Sequence, residues 1–375
     1  MKLGIDISTY FEEQVAGAKY KLDGKFVDPI DVFHNNGVDY IRIRVWVNPY
    51  MGDKPYLGGT CDLGNFLKLS KLALGKGYQV ILNLHYSDFW CDPSKQFIPK
   101  EWESLDFKGL RKKVHSYTTE VLTTIIDNGV TLAYVQVGNE ITNGFLWPLG
   151  QLVDNGPNKE RGNYKDFTSL LKEGVKAVRE KSPDSKIVLH LERSYDKVLY
   201  KEFFTNMRRY KVDYDVIGVS YYPYWHGTFV QFFANMRNCK RLFKKDIAVM
   251  ETGYGFTMED YIANGNEIKP QLVIEENFIK NMPYKLPYSL SKKGQKAFIK
   301  TFLNKCRKHD ISLVVYWEPA WIPGKDIHWT SKEGQKYMND HAKSTRNEWA
   351  NQCLFDFKGK AVPALKEFSN KEEQS

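Results

Sequence analysis

The chain has 375 residues, 42% of them hydrophobic and 14% aromatic, and carries a formal net charge of +9. That is enough apolar material for one large barrel-sized core, and no run of about 18 apolar residues marks a membrane span. The positive charge comes from lysines spread over expected helix surfaces (Lys68, Lys71, Lys76, Lys172, Lys176, Lys181) and not massed in one tract, which argues against nucleic acid or a membrane surface as partner.

The N-terminal MKLGIDIS enters a strand at once, with no charged region followed by a long apolar segment. A signal peptide is therefore not expected, leaving a cytoplasmic protein or the mature form of a secreted bacterial one. Eight strand-like runs follow in chain order: LGIDI (3–7), DYIRIRVW (39–46), YQVILNLHY (78–86), AYVQVGNE (133–140), KIVLHLE (186–192), DVIGVSYY (215–222), DIAVMET (246–252) and SLVVYWE (312–318). Most are near-continuous Val/Ile/Leu stretches, as strands buried on both faces should be. Between them lie helical patterns. Tyr117, Val121, Leu122, Ile125 and Ile126 are predicted on one face, and Phe298, Ile299, Phe302, Leu303 and Cys306 on another. Gly37, Gly77 and Gly129 sit between helix and strand, where a C-cap needs positive φ.

This repetition predicts an α/β protein, a single (β/α)8 TIM barrel over residues 1–368 with extended loops at its C-terminal face and a polar tail over 369–375. The longest irregular stretch, 255–293, belongs at the mouth. A doubly wound sheet is disfavoured by the count of eight and by the absence of G-x-G-x-x-G after the first strand. Cys61, Cys91, Cys239, Cys306 and Cys353 show no metal-ligand spacing and are expected to be free thiols.

Polar residues gather at the carboxyl ends of the runs, where a barrel places its site. Glu140 and Glu251 each end a run, and two carboxylates meeting across one cleft are what glycosidic cleavage needs. Arg44 is expected to hold Glu251 ionised, with Tyr222 adding a hydroxyl donor. Asn139 is expected on a sugar hydroxyl, and His85, beside Asp88, on substrate. Trp46, Trp90, Trp147, Trp225, Trp317 and Trp321 fall at or just past run ends, suited to stacking on the apolar faces of sugar rings. His85, His190 and His226 lack zinc spacing, and no G-x-S-x-G marks a nucleophilic serine.

The strings GIDIS (4–8), YIRIRVWVNP (40–49), HYSDFWCDPSKQ (85–96), VQVGNEITNGFLWP (135–148), DYDVIGVSYYPYWHG (213–227), METGY (250–254) and YWEPAWIP (316–323) together resemble glycoside hydrolase family 53, the endo-β-1,4-galactanases, within the clan of retaining (β/α)8 hydrolases. The resemblance runs to LFDFKG at 354–359. It implies that Glu140 is the acid/base and Glu251 the nucleophile. It implies substrate contacts from Arg44, Trp46, Asn48, His85, Asp88, Asn139, Tyr222 and Trp317, and β-1,4-galactan as substrate. The chain departs from the family where HLERSYD (190–196) replaces an asparagine-glycine-tryptophan turn, putting Arg193 and Tyr195 where a Trp platform is expected. Phe89, Trp90 and Cys91 replace Thr-Trp-Ala after HYSD. GFTMEDYIANGNEI (255–268) lacks the aspartate-glycine run resembling a calcium loop in some bacterial members, so no metal or cofactor is expected. The expected protein is a monomeric enzyme acting on a polysaccharide or oligosaccharide. The alternatives are an endo-hydrolase of another β-glycan (mannan, glucan or short galacto-oligosaccharides) and a non-catalytic carbohydrate-binding barrel.

Overall fold

The computed structural model describes residues 1–156, 159–262 and 268–369. The tail beyond Ser369 and part of the 255–293 loop lie outside the described residues. Eight parallel strands form a closed barrel: β1 (Lys2–Asp6), β2 (Tyr40–Val45), β3 (Gln79–Leu84), β4 (Leu132–Val137), β5 (Lys186–Leu191), β6 (Val216–Tyr221), β7 (Asp246–Thr252) and β8 (Leu313–Trp317). Each pairs with its neighbours in chain order, and β1 closes the ring by pairing with both β2 and β8. Helices follow the first seven strands: α1 (Pro29–Asn35), α2 (Leu63–Gly75), α3 (Phe107–Asp127), α4 (Tyr164–Lys181), α5 (Lys197–Arg209), α6 (Phe229–Phe243) and α7 (Lys292–Lys308). A 3-10 segment, Pro363–Phe368, packs back on α7. Among the described residues no helix is long and apolar enough to cross a membrane.

Side chains set the helix starts. Asp62, Asp106 and Ser291 accept the backbone N–H three residues on, and Asp196 accepts from Val198 and Leu199. Thr228 and Gln231 form a reciprocal capping box. Such contacts satisfy N–H groups that the helix itself leaves without partners. Gly37, Gly77 and Gly129 do adopt positive φ between helix and strand. The predicted inner face of α3 is corrected at one position. Val121, Leu122 and Ile125 are buried, but Ile126 is 42% exposed, one helical step past the stripe. All five cysteines are buried free thiols.

The barrel interior is layered. At the lower end, Tyr40, Ile81, Tyr134, Val188, Val216, Ala248, Met250, Leu313 and Val315 form an apolar plug. Two residues further along their strands stand Arg42, Asn83, Gln136 and His190, on the same face by the period of two. Asp6 of β1 joins them, accepting Arg42 Nη1 at 2.9 Å on Oδ2 and Arg44 Nη1 at 2.9 Å on Oδ1. All three side chains are shut off from solvent. Outside the barrel, Tyr221 of β6 stacks on Phe302 of α7, which also stacks on Phe229 of α6 and Phe298.

Two changes probe these layers. Asp6→Asn removes the carboxylate shared by two buried guanidinium groups and should cost about 3–5 kcal/mol. Phe302→Ala opens a cavity between barrel and helices and should cost about 3–5 kcal/mol. Urea denaturation followed by tryptophan fluorescence checks both.

Candidate active site

The strands end where the chain turns, and four exits use a non-glycine residue with positive φ: Tyr86 (54°), Glu140 (48°), Arg193 (47°) and Glu318 (44°). Such backbone is uncommon outside glycine and gathers at functional sites. At the exit of β4, Gly138 has φ 83°, and a Cβ there would lie 2.5 Å from Ile141 Cγ2. Only glycine fits this turn, which delivers Asn139 and Glu140 to the mouth. Gln96 Nε2 holds the turn by donating to the Asn139 carbonyl at 2.8 Å.

Glu251 reaches the interior by a different device. Ala248 and Met250 both face the plug, so strict alternation would send Glu251 outward. The β6–β7 register instead shifts between Val219 and Ser220, so that Val219 pairs with Val249 but Ser220 with Glu251. This bulge re-aims the glutamate into the barrel, a use bulges often serve beside active sites.

There Arg42, not the expected Arg44, is its cation: Arg42 Nη1 lies 2.9 Å from Glu251 Oε1. Tyr222 donates its hydroxyl to Oε2 at 3.1 Å. Arg42 also donates through Nε to Gln136 Oε1 (3.1 Å) and through Nη2 to Asn139 Oδ1 (2.8 Å). Arg44 pairs instead with Asp6 and, at 2.8 Å, with Glu318, while its guanidinium lies 4.7 Å from the Trp90 ring centre and 5.3 Å from that of Trp317.

Electrostatics separate the two glutamates. Burial and then the charges of Glu251 and Glu192 push the Glu140 carboxyl well above the usual range, against only the Ser220 hydroxyl. Burial also raises Glu251, but Arg42 and Tyr222 pull it back toward the ionised form, Asp6 opposing them. A proton entering this pair therefore rests on Glu140, leaving Glu251 as carboxylate. Nearby, burial raises Glu192 to about 6 despite its partner Arg193, and Glu318 to about 7 despite Arg44. His85 and His190 are held neutral by burial and by the arginines.

Two adjoining cavities, about 220 and about 460 Å3, share Asp92, Glu140, Glu251, Trp317 and Trp349 and form one cleft. Of the expected residues, Arg44, His85, Trp90, Asn139 and Trp321 line the first cavity, and Tyr222 and Trp225 the second. Asn139 keeps one amide N–H beyond that given to the Cys91 carbonyl at 3.0 Å. Three others stand back from the cleft. Trp46 is buried and donates to His85 Nδ1 at 3.1 Å, so it supports the histidine. Asp88 is buried and accepts the backbone N–H groups of Asn48 and Lys100, with burial lifting it to about 6. The Asn48 amide turns to Glu101 at 3.3 Å. Trp147 and Tyr195 are not among the lining residues, whereas Arg193 is, donating to Asn143 Oδ1 at 2.8 Å.

The sequence reading passes over Arg42, Trp329, Trp349, Glu348, Asp92 and Lys95. Arg42 was findable, since a strand that points Arg44 inward points Arg42 inward as well. Trp329, Glu348 and Trp349 lie in the irregular segment after β8, where no periodicity marks which way a side chain faces.

Known proteins match this chain along nearly its whole length. The family model described as Glycosyl hydrolase family 53 matches residues 2–368. An endo-beta-1,4-galactanase of Bacillus subtilis is 31% identical over 97% of this chain and 84% of its own length. An arabinogalactan endo-beta-1,4-galactanase of Cellvibrio japonicus is 32% identical over 87% of this chain and 84% of its own. The GH53 catalytic domain of Ignisphaera aggregans superposes with a TM-score of 0.86 at 34% identity, covering 97% of this chain and 94% of that one. The chain belongs to glycosyl hydrolase family 53.

Proposed function

We propose that this protein hydrolyses β-1,4-galactosidic bonds within galactan, the linkage named in its relatives, with retention of anomeric configuration. The observation that carries the chemistry is the unequal pair at the cleft floor. Glu251, fixed by Arg42 and Tyr222, stays a carboxylate, while Glu140, with no cation paired to it among the described residues, keeps a proton. Glu251 attacks the anomeric carbon as Glu140 protonates the departing oxygen. Glu140, now ionised, then takes a proton from water, and that water's oxygen displaces Glu251 from the sugar. Retention needs the carboxyl groups about 5–5.5 Å apart. The walls suit a neutral polysaccharide. Trp90, Trp317, Trp321, Trp329 and Trp349 offer ring faces, and Asn139, His85 and Arg44 offer polar edges. We extend the substrate-binding proposal to these lining residues, with Tyr222 and Trp225 in the second cavity.

Three measurements test this reading. Glu251→Ala should abolish release of oligosaccharides from purified β-1,4-galactan; substantial turnover would remove Glu251 from its role. The intact enzyme should cleave that polymer internally and leave β-1,4-mannan, glucans and arabinogalactans of other linkage largely intact, with the first-formed anomer, read by NMR, unchanged. Tyr222→Phe removes a donor that favours ionised Glu251. The acid limb of kcat/KM should therefore move to higher pH, with a loss of about tenfold or more near the optimum.

A further inference from the structure

Behind Glu140 runs a directed chain of hydrogen bonds. Arg42 is a donor only, so its 3.1 Å contact fixes the acceptor end of the Gln136 amide and turns Nε2 the other way. That Nε2 lies 3.1 Å from His190 Nδ1, 3.0 Å from Asn139 Oδ1 and 3.1 Å from the Gly138 carbonyl, and an N–H donor so close to Nδ1 suits a bare ring nitrogen. Asn139 Oδ1 also takes Arg42 Nη2 at 2.8 Å and Asn83 Nδ2 at 3.3 Å, so its lone pairs are already filled by N–H donors. His190 Nδ1, 3.2 Å from that oxygen, is then an acceptor, and the one proton of the neutral ring sits on Nε2. His190 Nε2 lies 2.9 Å from Ser220 Oγ, and Ser220 Oγ lies 2.6 Å from Glu140 Oε1. With its oxygen engaged by the imidazole N–H, the serine hydroxyl points its hydrogen at Glu140. Gln136, His190 and Ser220 are all sealed from solvent.

We propose that Ser220, oriented by His190, is a positioning residue for the acid–base steps: its hydroxyl permanently occupies Oε1 of Glu140 and reserves Oε2 for the proton given to the leaving oxygen and later taken from water. The role rests on Glu140 being the acid/base. Other charges face the same carboxyl: Glu251 from β7, Glu192 after β5 with its partner Arg193, and Asp92 after β3 with its partner Lys95. Arg193 is engaged by Glu192 and Asn143, and Lys95 by Asp92, so among the described residues the donor to Oε1 is Ser220.

The test is Ser220→Ala, measured on galacto-oligosaccharides and on a nitrophenyl β-galactobioside. A sugar leaving group needs the proton and a nitrophenolate does not, so kcat/KM should fall about tenfold or more on the first and about threefold or less on the second. The basic limb of kcat/KM should move to higher pH, because a donor to the carboxylate has gone. Ser220→Thr, which keeps the hydroxyl, should recover most of the loss. An equal loss on both substrates with an unmoved basic limb overturns the proposal. If the alanine variant does not fold, histidine 15N shifts of the intact enzyme decide: an Nε2–H signal assigned to His190 by its absence from His190→Asn supports the chain, and an Nδ1–H signal overturns it. Glu140→Gln separates the two readings. If it stays fully active on galactan, the acid/base assignment fails; if it is dead while Ser220→Ala behaves as wild type, only the positioning role fails.

Discussion

A guanidinium shut away from water must find its counter-charges and acceptors where it stands, because leaving them unmet costs several kcal/mol. Arg42 meets that demand with Asp6, Gln136, Asn139 and Glu251, drawn from β1, β4, the turn after β4, and β7. One side chain thus ties opposite sides of the barrel together and fixes the ionised member of the carboxyl pair. Arg44 repeats the arrangement a layer higher with Asp6 and Glu318. Asp6 is the hinge between them, since each of its oxygens serves a different arginine.

The layering explains how a barrel can hold so much charge. The apolar plug at the lower end excludes water from beneath, and the aromatic rings around Arg44 shield the upper layer from the side. In that low-dielectric setting charge differences are felt strongly. Two glutamates of the same chemistry therefore take different protonation states for a local reason: one touches a cation and the other does not. The bulge in β7 is the backbone's share in this, since under unbroken alternation Glu251 would face the helices.

Much of this was legible in the sequence. Eight strand-like runs, most of them near-continuous Val/Ile/Leu, marked the eight strands, because strands buried on both faces need no polar alternation. The carboxyl ends marked the mouth, because that is where polar side chains can stay wet. What was not legible was pairing. Arg42 and Arg44 look alike in RIRV, and only the heights of their partners assign one to Glu251 and the other to Glu318. Trp46 and Trp317 could not be told apart as support and wall, because a tryptophan at a strand end either turns under the loop or into the cleft, and nothing in composition says which. Asp88 reads as a ligand beside His85, yet its carboxylate is spent on backbone N–H groups of the surrounding loops.

The closing seam sets an order on assembly. The threonine after β1 bonds Glu318 across 309 residues of chain, and Asp6 pairs with Trp317 in the β1–β8 register. A growing chain that has made β1 and β2 holds two arginines and one aspartate, and it lacks Glu251 until the last third of the polypeptide emerges and Glu318 until the last quarter. Those early strands cannot bury their cations in a half-built cylinder. Contacts this distant in sequence slow folding, and a fragment ending before β7 is left with Asp6 shared between two arginines and without the Glu251 and Glu318 that complete their pairing.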